Sequence, residues 1–92
     1  MGKEVRLFKS EERRSRPEVT AFLRELADKI DAGQVVLRQG TEELALEIPH
    51  DLILEIQVED EDKGSKGTEH SLEVEIAWYD GDQQAGGPLE LG

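Results

Sequence analysis

The 92-residue chain has no cysteine, which excludes disulfide staples, thiolate zinc sites and cysteine nucleophiles. Basic side chains are also scarce. Eleven Lys and Arg stand against 22 Asp and Glu, for a formal net charge of −11 and a pI near 4.5. A chain of that charge is repelled by nucleic acid and by anionic membranes. No apolar run approaches the roughly 18–20 residues needed to span a bilayer. The opening Met-Gly-Lys-Glu-Val lacks the apolar core of a signal peptide, so a cytoplasmic location is expected. The only aromatics are two Phe, one Tyr and one Trp. The length suits one small domain with a simple core.

What charge there is lies unevenly along the chain. Residues 1–38 carry nine basic and seven acidic side chains, and residues 39–92 carry two and fifteen. Much of the base is gathered at Arg6, Lys9, Arg13, Arg14 and Arg16.

Val5 and Leu7 alternate with Glu4 and Arg6 and are followed by Phe8, a period of two that predicts a short strand. After a charged connector, Ser15-Arg16-Pro17-Glu18 has the Ser-x-x-Glu spacing of a capping box, with proline in the first turn. Val19, Phe22, Leu23, Leu26, Ala27 and Ile30 then follow the spacing of one apolar helix face. Gly33 can take the left-handed conformation that closes a helix. A helix over about residues 16–31 is predicted.

From Gly33 onward the period changes to two. Val35 and Leu37 form one alternating set, and Leu44, Leu46 and Ile48 a second, with Gln39-Gly40 as a turn signal between them. After the break at Pro49-His50-Asp51, Leu52, Leu54, Ile56 and Val58 alternate with Glu55, Gln57 and Glu59. A hydrophilic loop is expected from Asp60 to His70, before Leu72, Val74, Ile76 and Trp78 alternate with Glu73 and Glu75. The segment from 81 to 92, rich in Gly and Gln, has the composition of a disordered tail. The expected order is β-α-β-β-β-β. That is a single two-layer α+β domain over residues 1–80, with one amphipathic helix on a mostly antiparallel sheet of about five strands.

The assembled run resembles the amphi-Trp domain family. The matching residues are Arg14-Ser15 and Glu18, Phe22 to Asp28, Gly33, Val35, Leu37 to Gly40, the Glu-rich stretch from Glu42 to Pro49, and the terminal strand from Leu72 to Trp78. The resemblance spans about residues 3–79. It implies a small prokaryotic domain with a shared fold, whose characteristic tryptophan is here Trp78, and it brings no catalytic residue with it.

Two features invite a binding role. Trp78 shares its register with Leu72, Val74 and Ile76, so it reads first as a core anchor and second as a contact residue at the mouth of the core. Lys9, Arg13, Arg14 and Arg16 precede a helix N-terminus, where free N–H groups and the helix dipole favour anions. Ser15 and Glu18 use part of that N–H supply, and no stacking aromatic lies within the cluster. Anion or nucleic-acid binding there is the alternative function, with nucleic acid disfavoured by overall charge.

Other patterns point nowhere. His50 and His70 lack metal-ligand spacing, and Glu59-Asp60-Glu61-Asp62 lacks the ligand order of a calcium loop. Lys63 to Gly67 is not a phosphate-binding loop, and no Ser, His and Asp form a legible triad. No enzyme activity, cofactor or metal is expected. A five-strand sheet is about 19 Å wide, whereas one helix covers about 10–12 Å. The residual apolar area favours a protein-interaction or structural module, with a homodimer or a protein partner as the expected complex. Val36, Ala45, Ile53, Ala77 and Tyr79 offer a small outer patch.

Overall fold

The computed structural model describes residues 2–81. In chain order these form α1 (Arg16–Ala32), β1 (Gln34–Gln39), β2 (Glu42–Glu47), β3 (Ile53–Asp62), a single 3-10 turn (Gly64–Lys66) and β4 (Thr68–Ala77). The class is α+β, as the periodicities imply. The chain divides at Ile48–Pro49 into two compact units. The strands form two separate two-stranded antiparallel sheets, β1–β2 and β3–β4, in place of the expected single sheet of about five. Pro49 stands where β2 would lead into the next strand, and it supplies no N–H for a ladder.

The first unit begins without the expected strand at residues 5–8; the described residues before α1 form no strand. Val5 and Leu7 stay exposed. Alternation over so few residues holds no strand unless a neighbour offers its edge.

Helix α1 starts as its sequence requires. The Ser15 hydroxyl accepts from the Glu18 backbone N–H at 3.3 Å, and the Ser15 N–H donates to the Glu18 carboxylate at 3.0 Å. At the other end Gly33 adopts φ 90°, and its N–H donates back to the Ile30 carbonyl at 2.9 Å. The same glycine begins the hairpin, because its carbonyl accepts from the Ile48 N–H at 2.9 Å. One residue thus stops the helix and aligns β2 against the start of β1.

The hairpin turns through Gly40-Thr41, with positive φ at Gly40 alone among the two, as a type II′ turn demands. Val35 pairs with Leu46 and Leu37 with Leu44, all on one face. Val35 is 5 % exposed and is the only buried hydrophobic residue among those described. Leu37, Leu44, Leu46 and Ile48 are half-buried, as are Leu26 and Ile30 one turn apart on α1, which rests on β1. Of the predicted apolar helix face, Val19, Phe22 and Leu23 remain exposed. A 17-residue helix is about 25 Å long, whereas a six-residue strand is about 20 Å, so the hairpin cannot cover its whole length.

Glu18 is held below the ordinary carboxyl value of 4.5 by the Ser15 N–H, the Ser15 hydroxyl and Arg14, in that order. A carboxyl whose folded value is depressed stabilises the fold above its unfolded pKa, and that contribution disappears as pH falls through the folded value. Replacing Ser15 with Ala is therefore expected to cost about 1 kcal/mol. It should also make the acid limb of stability below pH 4.5 only slightly shallower, because the backbone N–H at position 15 and Arg14 still hold Glu18, as measured by urea unfolding at several pH values. An unchanged midpoint would show that the cap does not hold the helix.

In the second unit the strands run further than predicted. They take in Asp60 to Asp62 and Thr68 to His70, and the loop shrinks to residues 63–67. Cross-strand partners make this extension possible. His70 Nδ1 lies 2.6 Å from Asp60 Oδ1, and the Lys63 ammonium stands 3.3 Å from Glu61 and 3.8 Å from Glu69. The tail expected over residues 81–92 lies, from residue 82 on, outside the described residues.

Candidate functional site

The basic cluster belongs to the first unit. Lys9, Arg13 and Arg14 lie on the segment before α1, and Arg16 is the first residue of the helix. Much of its charge is already matched locally. Arg14 pairs with Glu12 and, at 3.2 Å, with Glu18, and both carboxylates raise the guanidinium's affinity for its proton. Lys9 stands 4.0 Å from Glu11. The capping box takes N–H groups that an anion would otherwise meet. Phe8, Val19 and Phe22 line an open depression beside β1, whose charged lining holds the Glu12–Arg14–Glu18 group together with Glu25 and Arg38.

Trp78 lies in the second unit, one residue beyond β4, and is half-buried. Its strand carries the more conspicuous surface. In the β3–β4 register Leu54 faces Ile76, Ile56 faces Val74 and Val58 faces Leu72. Strand geometry puts all six on one side. Five of them are more than half exposed, from 57 % at Ile56 to 72 % at Val58, and Ile76 is half-buried. The opposite side pairs Glu55 with Glu75, Gln57 with Glu73 and Glu61 with Glu69. The hairpin is therefore sharply two-sided. Aliphatic side chains that read in sequence as core stand open in the structure. The available signal was an excess of inward-pointing aliphatics over the area one helix can cover.

Among the described residues no three His, Asp or Glu side chains converge as metal ligands, and no helix is long and apolar enough to cross a membrane.

One family model, that of the Amphi-Trp domain, matches the chain over residues 1–92. The chain belongs to the Amphi-Trp domain family. No curated protein and no solved structure matches it. In this Amphi-Trp domain the capping box at Ser15 and Glu18 and the glycine stop at Gly33 shape the helix. The strand leading to Trp78 forms half of the two-sided hairpin.

Proposed function

We propose that this Amphi-Trp domain is a non-enzymatic protein-interaction module whose contact surface is the aliphatic side of the β3–β4 hairpin. One observation carries the reading: Leu54, Ile56, Val58, Leu72 and Val74 are each more than half exposed on a single face. Covering a Val, Leu or Ile side chain fully is worth about 1.5–3 kcal/mol. Five side chains at this exposure thus offer on the order of 5–10 kcal/mol to a partner, about enough to offset the roughly 4–15 kcal/mol lost on association, so further contacts around this face have to supply the surplus. The basic cluster supports anion binding less well, because Arg14 and Lys9 already face carboxylates.

The test is a neutral apolar dye, Nile red, with the protein at about 1 μM, dilute relative to a weak interface. The wild-type chain is expected to bind and brighten the dye. Ile56→Thr combined with Val74→Thr keeps β-branched side chains, and so strand preference, and should weaken the signal several-fold. A wild-type chain that leaves the dye dark, or a variant that binds it equally well, overturns the reading.

A further inference from the structure

We infer that an extended segment of a partner protein, alternating aliphatic and basic residues, adds to the outer edge of β4 as an antiparallel third strand. The inference rests on the interaction reading above and supplies the further contacts that it needs. Among the described residues β3 and β4 pair only with each other, so each keeps one edge outside the ladder. The Lys63 N–H to Gly67 carbonyl bond fixes which backbone groups lie there. Antiparallel ladders bond at every second facing pair, so Glu61–Glu69, Glu59–Ser71, Gln57–Glu73 and Glu55–Glu75 turn theirs inward. His70, Leu72, Val74 and Ile76 therefore turn their N–H and carbonyl groups out along β4. The strand is ten residues long and holds neither proline nor lysine, the usual guards of an open edge. Such an edge accepts one more strand through main-chain bonds.

Sidedness and charge select that strand. On a neighbour about 4.8 Å away, alternate side chains lie beside Leu72 and Val74, and the others beside Glu73 and Glu75. Leu72 and Val74 are 70 % and 58 % exposed, so aliphatic residues fit the first set. Basic residues fit the second. Glu75 already faces Glu55, and among the described residues no ion pair reaches Glu55, Glu73 or Glu75. A lysine or arginine opposite each of Glu73 and Glu75 offsets this repulsion, whereas an acidic strand adds to it. Along β3 the matching positions are Glu55, Gln57 and Glu59, where Gln57 separates the acids and donates to Glu59. The β4 edge therefore offers the stronger match.

The probe is the peptide acetyl-Lys-Val-Lys-Val-Lys-Val-Lys-Val-amide with a rhodamine label, followed by fluorescence anisotropy against the full chain. A dissociation constant of about 10–300 μM is expected at roughly 20 mM KCl, within the class of weak interfaces. It should rise several-fold by about 0.2 M KCl, as the ion pairs are screened. Antiparallel pairing sets the peptide's Val residues opposite Leu72 and Val74, with their N–H groups toward β4 and those of Lys away. N-methylation of the Val nitrogens should therefore weaken binding by about tenfold or more, and N-methylation of the Lys nitrogens by less than about threefold. Glu73→Gln with Glu75→Gln should weaken it about threefold to tenfold, and Glu55→Gln with Glu59→Gln less.

A wild-type chain that ignores the peptide yet brightens Nile red overturns the third strand and leaves the docking face standing. One that ignores the peptide and leaves the dye dark overturns both. Binding that survives Val methylation, is lost on Lys methylation, strengthens with salt or stays unchanged in the Glu73 and Glu75 variant overturns the inference. Equal losses in the two glutamate variants place the strand elsewhere and also overturn it.

Discussion

Val35→Asp is expected to cost the first unit about half of its stability, while Val36→Asp, one residue along the same strand, should change it little. The two positions lie on opposite sides of β1, and Val35 is 5 % exposed where Val36 is 38 % exposed. A carboxylate at Val35 would lose its water beneath the helix with no donor arranged to receive it, at a cost of about 3–5 kcal/mol. Small domains have only about 5–10 kcal/mol in hand. At Val36 the new carboxylate keeps its solvent and gains Arg38, two residues on along the same face. Helical circular dichroism and urea midpoints should therefore separate the two variants by several kcal/mol, about the size of the burial penalty. Equal midpoints would mean that α1 and the β1–β2 hairpin do not share a core at Val35.

The second large effect concerns salt. Residues from Pro49 onward carry two basic and twelve acidic side chains, and the β3–β4 register sets Glu55 directly against Glu75. Like charges facing each other across a sheet are destabilising by about 0.2–1 kcal/mol per pair, and salt screens them. The unfolding temperature should rise by about 5 °C or more between roughly 10 mM and 1 M KCl. Glu75→Lys converts the opposed pair into an attractive one. It should raise the low-salt midpoint by about 2–6 °C and make the salt curve shallower. A midpoint that is flat or falling with KCl, or a variant that melts lower in dilute buffer, would show that the acidic side exerts no measurable repulsion.

Local signals in the sequence translated well. Ser15, Pro17 and Glu18 announce the helix and Gly33 ends it because capping is decided within a few residues. Alternation also assigned Val35, Leu37, Leu44 and Leu46 to one side and the glutamates of β3 and β4 to the other. Alternation says which side a residue faces and nothing about which strand lies beside it. For that reason the expected sheet of about five strands is in fact two hairpins, and Val5 to Phe8 forms no strand. The Asp60–His70 stretch looked like a loop because it is so polar, yet Asp60 hydrogen-bonds His70 across the strands and the loop residue Lys63 reaches both Glu61 and Glu69. At the candidate surface the sequence marked Trp78 and the basic cluster. The structure draws attention to Ile56, Val58, Leu72 and Val74, whose exposure depends on what covers them.

The alternation of β3 and β4 has a redundancy built into it. Sliding one strand past the other by two residues still sets most aliphatics against aliphatics and acids against acids, so the pattern barely distinguishes the true register from its near neighbours. The closing loop makes the distinction, through the Lys63 N–H to Gly67 carbonyl bond at 2.8 Å and positive φ at Gly64 and Gly67. It acts as the reading frame of the hairpin. A single-residue deletion within either strand would throw every residue beyond it onto the wrong side, as a frameshift garbles a message. Strands trimmed or extended by two residues apiece keep their sidedness. A hairpin of this type can change length over generations in even steps, so long as its loop still closes.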